Sequence, residues 1–339
     1  MNAYGSCCAS AATRRTGFPT NSAAAAWTSS NTSRLMAFKP FWCNRRGPRI
    51  MAKHRPDWQL PDGVTRGLWE YAHAEHIAAD YDDYFAENRM FTFDAQVLAR
   101  VFPPLPVGRS EVVADLGCGT ARALVPLVRR GYRGLAVDLS EQMLDIVADK
   151  ATEQELPIQP VCANLVDLDC LAEASVDHAI SMFSTYGMIR GSHHRQRAFA
   201  HVHRILKPGG RFVLHAHNFW FNLYDPGGPW WLLGNLLQSA YSRDVELGDK
   251  FFHYRGVPQM FLHVFRLGEL KRAVARAGFV VDDVVSLDVR RIKPLPWPWL
   301  LNPLRANGWI VVCRKPDSGP SAPVDTPPDY QGDSISPTT

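Results

Sequence analysis

The chain has 339 residues, 46% of them hydrophobic, enough for one large domain with insertions or two small ones, built on a sizeable core. No run of about 18 uninterrupted apolar residues exists, so no spanning helix is expected. The formal charge of +4 is set by the ends: residues 1–50 hold seven Lys or Arg and no acid, and residues 316–339 hold four Asp and no base, leaving 30 basic and 29 acidic residues between them. A near-neutral body offers no bulk pull on nucleic acid, so a nucleic-acid partner is disfavoured. The seven cysteines show no repeated C-x-x-C spacing. They read as free thiols in a reducing compartment, the cytoplasm, rather than as a structural metal site.

Residues 1–50 are rich in Ala, Ser, Thr and Arg and show no periodicity. They read as a targeting leader, as sequence upstream of a true start at Met51, or as a plain tail, and disorder is expected in each case. Gly67 to Asn88 predicts a helix, its apolar face made by Leu68, Tyr71, Ile77, Tyr81 and Phe85. Phe91 to Val101 predicts a second helix, which Pro103 and Pro104 end.

Glu111 to Arg122 reads E-V-V-A-D-L-G-C-G-T-A-R. Val112 to Leu116 predicts a buried strand, Gly117 to Gly119 a sharp turn, and Ala121 to Arg129 a helix. Strand, glycine turn and helix bring a ligand against bare backbone at the carboxyl edge of a parallel sheet. A triphosphate site lacks its lysine here, and a dinucleotide fingerprint meets Arg122 where its third glycine belongs. S-adenosylmethionine, with an ammonium, a sulfonium and a ribose diol, suits carboxylates around the turn. Asp115 lies two residues before Gly117, and Asp138 ends the next strand, Leu135 to Val137. A carboxylate at a strand end can accept both ribose hydroxyls.

The run D-L-G-C-G-T at 115–120, V-D-L-S at 137–140, C-A-N-L at 162–165 and L-K-P-G-G-R-F at 206–212 resembles the class I S-adenosylmethionine-dependent methyltransferases. The likeness covers roughly residues 81–314. It implies an α/β fold: a doubly wound, Rossmann-like, seven-stranded sheet, mostly parallel with an antiparallel last strand. It also implies S-adenosylmethionine as cofactor. The cofactor contacts would be Asp115, Gly117, Gly119, Asp138 and Leu139, with Asn164 and Leu165 at the adenine and Phe183 at the end of the fourth strand. Tyr81 or Tyr84 would close the site from a preceding Tyr-Asp pair. Asn164 stands where the family more often has Asp, and an amide oxygen can accept the same bond.

Further along, Glu141 to Lys150 predicts a helix, Pro160 to Ala163 a third strand and Ser175 to Met182 a fourth. A helix over Gln196 to Leu206 carries basic and histidine residues on a solvated face, and strand five runs from Arg211 to Ala216. His215 and His217 share one side of that strand near the active edge. With Tyr186 they are the candidates for a general base toward the acceptor. A metal on the His-x-His pair lacks a third ligand and is not expected.

Phe219 to Tyr241 is rich in Trp, Tyr and Leu. It reads as a lid over an apolar acceptor, as added packing, or as a membrane or dimer contact. Gln259 to Phe265 predicts a short strand and Leu267 to Ala277 a helix capped by Gly278. Phe279 to Val289 and Gly308 to Arg314 are expected to pair as the antiparallel last strands. Their Trp- and Pro-rich connection carries Arg290, Arg291 and Lys293, either as an anion-holding rim or as a solvated cluster. The methyltransferase domain is thus expected over 51–315, with insertions at 219–258 and 290–307 and a disordered tail over 316–339.

The function these features imply is methyl transfer to an O, N or C nucleophile of a small apolar or aromatic acceptor. Three rivals stand beside it. Phe261 to Leu270 looks like a stretch of tRNA wobble-uridine methyltransferases, which the near-neutral body disfavours. A nicotinamide oxidoreductase would need the missing glycine. A non-catalytic cofactor-binding protein would bind without turnover.

Overall fold

The structure, a computed structural model, describes residues 41–42, 56–86 and 89–317. The expected leader and tail lie almost wholly outside these residues.

Seven long strands form the sheet: β2 (Val112–Leu116), β3 (Arg133–Asp138), β4 (Ile158–Cys162), β5 (Val176–Ser181), β6 (Leu206–His217), β9 (Val280–Ser286) and β10 (Gly308–Arg314). A two-residue strand, β1 (Phe41–Trp42), pairs parallel with β4, an ordered piece inside the leader where no element was expected. The order is β1-β4-β3-β2-β5-β6-β10-β9. All pairs are parallel except those of β10, antiparallel to both β6 and β9. A separate hairpin joins β7 (Asp249–Tyr254) and β8 (Val257–His263). The doubly wound sheet with an antiparallel last strand is therefore as the sequence implies.

Each central strand is apolar on both faces because helices cover both. Val112, Ala114 and Leu116 face one core layer, completed by α7 (Ser192–Ile205) and α9 (Leu267–Arg276). Val113 and Ala136 face the other, completed by α4 (Met90–Val101), α5 (Val125–Val128) and α6 (Glu141–Glu153). The chain reverses its winding between β2 and β5, which places a crevice at the carboxyl ends of these two strands.

Several local expectations need correction. Gly67 to Asn88 is not one helix but three: α1 (Arg66–Ala72), α2 (Glu75–Ala79) and α3 (Tyr81–Phe85). The bends at His73 and Asp80 let Trp69, Ile77, Tyr81 and Phe85 all be buried, which a straight rod with one stripe does not allow. The helix after the glycine turn is only Val125–Val128. Pro126 has no N–H to donate, so it belongs to a first turn, and Ala121 instead takes φ +61°. Strand β6 runs through Pro208 to Gly210 rather than starting after them. Helix α7 starts at Ser192, before the expected Gln196, and in this added turn Arg195 is buried, pairs with Glu246 and donates to the Ile189 carbonyl at 3.1 Å. Cys118, Cys162 and Cys313 are free and buried, but Cys170 is disulfide-bonded. Among the described residues no helix is long and apolar enough to cross a membrane.

Candidate functional site

The turn after β2 is built by two left-handed glycines, Gly117 at φ +78° and Gly119 at φ +53°. A methyl group on Gly117 would overlap Thr185, and one on Gly119 would touch the Tyr81 ring at 3.7 Å. Only a residue without a side chain serves here. The Gly119 N–H donates to Asp138 Oδ2 at 2.8 Å, and the Ser140 N–H donates to Asp138 Oδ1 at 2.9 Å. These bonds tie the ends of β2 and β3 together and aim the carboxylate along the crevice. The Ser140 hydroxyl then caps α6 by accepting from the Met143 N–H.

A cavity opens over this turn. It is lined by Gly117, Gly119, Asp138, Leu139, Asn164, Leu165, Phe183 and Tyr81 among others. The proposed cofactor residues thus meet in one place, except Asp115, which lies beneath the floor at 2% exposure. Asp115 Oδ2 has no hydrogen-bond partner. Burial, reinforced by the Asp138 charge and partly opposed by Arg122, pushes the Asp115 carboxyl up to about 8. Burial also raises Asp138, against the three backbone donors that hold it.

Asn164 is engaged structurally as well. Its Nδ2 donates to the Asp62 carbonyl at 2.9 Å, and its Oδ1 accepts from the Val166 N–H at 3.1 Å. That is the geometry of a loop cap, with one lone pair of Oδ1 left for a ligand. Leu68 and Tyr71 of α1, with Gly63, Val64, Met188 and Ile189, complete the lining. Sequence reasoning missed these; the apolar face of the 67–88 segment was the available signal, but nothing local said that it roofs a cavity. Tyr81, rather than Tyr84, lines the cavity; Tyr84 is exposed.

The general-base candidates fare differently. Tyr186 sits in the core at 1% exposure, stacked on Phe199 with ring centroids 4.3 Å apart. It is not in the cavity lining, and burial raises its hydroxyl further above the ordinary range. The expectation of a base at Tyr186 is corrected on that ground. His215 is buried at 1% exposure, and burial, Arg291 and His217 hold its ring well below the usual range. Burial, with Arg291 and Lys250, brings His217 down to about 3. Both rings are neutral near pH 7 and are weak bases. Arg291 is neither rim nor solvated: it is 4% exposed and lies 3.6 Å from Asp94.

The aromatic segment after β6 does not roof the cavity. It forms a 3₁₀ turn at Phe219–Tyr224 and α8 (Gly228–Tyr241), packed through Phe219 and Leu232 onto Val264. The connection after β9 does converge on it, since α10 (Asn302–Arg305) packs against the 3₁₀ turn. The base of this cap is held by a buried polar network. His263 meets Asp249 and Glu269, each at 2.8 Å, and Asn235 bridges the Gly248 N–H and the Asp249 carbonyl. Glu246, Asp249 and His263 form a set with metal-ligating atoms. Each already has a protein partner, so the set reads as structural.

A family model described as a methyltransferase domain matches residues 113–210. The chain is 26% identical over 241 residues to the biotin biosynthesis bifunctional protein BioHC of Saccharophagus degradans, covering 68% of this chain and 38% of that protein. It is 30% identical over 141 residues to a malonyl-(acyl-carrier protein) O-methyltransferase of a Marinomonas species, covering 41% of this chain and 48% of that protein. The chain thus spans less than half the length of either relative. In fold it is similar to a SAM-dependent methyltransferase of Methanosarcina mazei, with a TM-score of 0.51 at 17% identity, over 65% of this chain and 98% of that one.

Proposed function

We propose that the chain, which resembles the class I S-adenosylmethionine-dependent methyltransferases in its sequence motifs and fold, moves a methyl group from that cofactor to an O, N or C nucleophile of a small apolar or aromatic acceptor. One observation carries this reading: two carboxylates, Asp115 and Asp138, stand beside the bare-backbone turn of Gly117 and Gly119, one with an unpartnered oxygen. A cationic sulfur nucleoside supplies what that oxygen lacks. Asp138 would hold the ribose diol, since its oxygens keep spare lone pairs after accepting from backbone. Asp115, beneath the floor, would lend its charge to the ammonium from below, and Leu139, Asn164, Leu165 and Phe183 would enclose the adenosine. When bound, the cofactor supplies a methyl group on a sulfonium, already a ready electrophile.

The chain's own task is then alignment and exclusion of water. Tyr71, Tyr81, Met188 and Ile189 close the cavity from above. No general base is part of this reading, because Tyr186 is core and both histidines are weak bases. A nucleophile that arrives ionised or with a free lone pair needs none. Beyond the acceptor, two partner readings follow: nucleic acid is not expected, and a peripheral membrane contact would use the exposed aromatic cap.

Calorimetry with S-adenosylmethionine and with nicotinamide dinucleotide tests the cofactor. Binding of the latter alone would sink the proposal. Incubating lysate metabolites, lipids and RNA separately with radiolabelled donor tests the acceptor. Label entering only RNA would replace the small acceptor by a tRNA-type one, and absence of label in every pool would leave a non-catalytic binder.

A further inference from the structure

Phe183 lines the cofactor cavity, and the guanidinium carbon of Arg291 stands 5.6 Å from its ring centroid. Around that guanidinium the fold gathers Asp94 from α4, His215 from β6 and Arg122 from the turn after β2. Asp94, His215 and Arg291 are 4%, 1% and 4% exposed. Ten buried side-chain polar atoms lack a hydrogen-bond partner among the described residues, and seven of them are here. They are both oxygens of Asp94, both ring nitrogens of His215, Nε and Nη2 of Arg291, and Nη1 of Arg122. The nearest approach of Arg291 to Asp94, 3.6 Å, is too long for a hydrogen bond. A buried polar group left unmade costs about 1–3 kcal/mol. A cluster serving structure alone would have closed these bonds, as the His263 network does.

Nε and Nη2 are the two donors of the guanidinium's side-on fork, which matches the paired oxygens of a carboxylate. Arg122 is shared between Asp94 and Asp115, whereas Arg291 faces Asp94 alone and out of hydrogen-bond reach, so its fork is open to an incoming carboxylate. Phe91 and Phe183, with ring centroids 5.5 Å apart, supply an apolar wall beside them. We infer that the Arg291 fork anchors the carboxylate of an apolar, carboxylate-bearing acceptor whose body lies against Phe91 and Phe183. Asp94 and His215 are positioning residues for that fork. The inference deepens the methyl-transfer reading and rests on it.

The test uses the full chain saturated with S-adenosylhomocysteine. Binding of 2-naphthoate and decanoate is measured by calorimetry, each against its own carboxamide. At least one carboxylate should bind saturably and about tenfold or more tighter than its amide. Arg291→Met should erase that ratio and Arg291→Lys keep part of it. The double variant Asp94→Asn, Arg291→Met removes both charges of that pair together and should show the same loss with normal S-adenosylhomocysteine binding. Saturable binding of neither carboxylate, equal binding of acid and amide, or a preference that survives Arg291→Met overturns the inference. If the unaltered chain fails to bind S-adenosylhomocysteine, the methyltransferase reading falls first and takes this one with it. Intact S-adenosylhomocysteine binding without carboxylate preference removes this inference alone.

Discussion

At the scale of single residues, the two acids of the crevice make separable predictions. Burial pushes the Asp115 carboxyl up to about 8 in the free protein, which favours its protonated form at pH 7. A ligand ammonium favours the ionised form. Binding of S-adenosylmethionine at pH 7 should therefore release a proton, and affinity should rise with pH up to about 8 and level off above. Calorimetry in buffers of different ionisation enthalpy reads the proton directly, and Asp115→Asn should remove both effects. The sign for stability follows from the same shift. The folded value lies above the ordinary 3.8, so this carboxyl's contribution is fully present below pH 3.8 and is lost as pH rises toward 8. Asp138→Ala should weaken cofactor binding by about 2 kcal/mol or more, the loss of a charged hydrogen-bond pair. Unchanged affinity would remove the ribose assignment. Both acids were legible in the sequence, because a strand that ends on a carboxylate beside a glycine turn is a local pattern. The failure of Tyr186 as a base was not legible, because its burial is decided by α7 packing over it.

At the scale of elements, the 67–88 segment shows how far periodicity reaches. Its apolar positions were recognisable, but its breaks at His73 and Asp80 were not. They arise because α1 packs on β8 while α2 packs on α6. The cap depends on a comparable long-range fit. Asp249 accepts from the Glu246 N–H at 3.0 Å and meets His263 at 2.8 Å, while its own carbonyl accepts from Asn235. Asp249→Ala should cost about 1–3 kcal/mol in chemical denaturation, because it leaves buried donors unpaired. A shift within a few tenths of a kcal/mol would show that the cap is held by its apolar contacts alone. The helix after the glycine turn teaches the converse. Pro126 was visible in the sequence, and its missing N–H sufficed to shorten that helix.

At the scale of the molecule, the cap carries an outward face that the fold leaves bare. Trp230, Leu233, Leu237 and Tyr241 recur at helical spacing on α8, with Trp230 77% and Tyr241 90% exposed. If this face makes the proposed peripheral membrane contact, the chain should co-sediment with phosphatidylglycerol vesicles. Serine at positions 230, 233 and 237 should then abolish co-sedimentation while leaving cofactor affinity unchanged. Absence of vesicle binding by the unaltered chain would assign the face to another partner.

The fold class, through the family resemblance of its motifs, and the two acids beside the glycine turn were determined by the sequence itself. The turn and its acids rest on short-range facts: glycines that alone permit a left-handed turn, apolar runs long enough for one strand, and acids within a few residues of that turn. Only the tertiary structure decided which polar groups share a dry interior. Asp94, His215 and Arg291 come from a helix, a strand and a loop far apart in sequence, and no local pattern marks them as neighbours. Burial and partnership belong to the packing of whole elements, so the proposed cofactor residues could be read along the chain but the buried polar cluster could not.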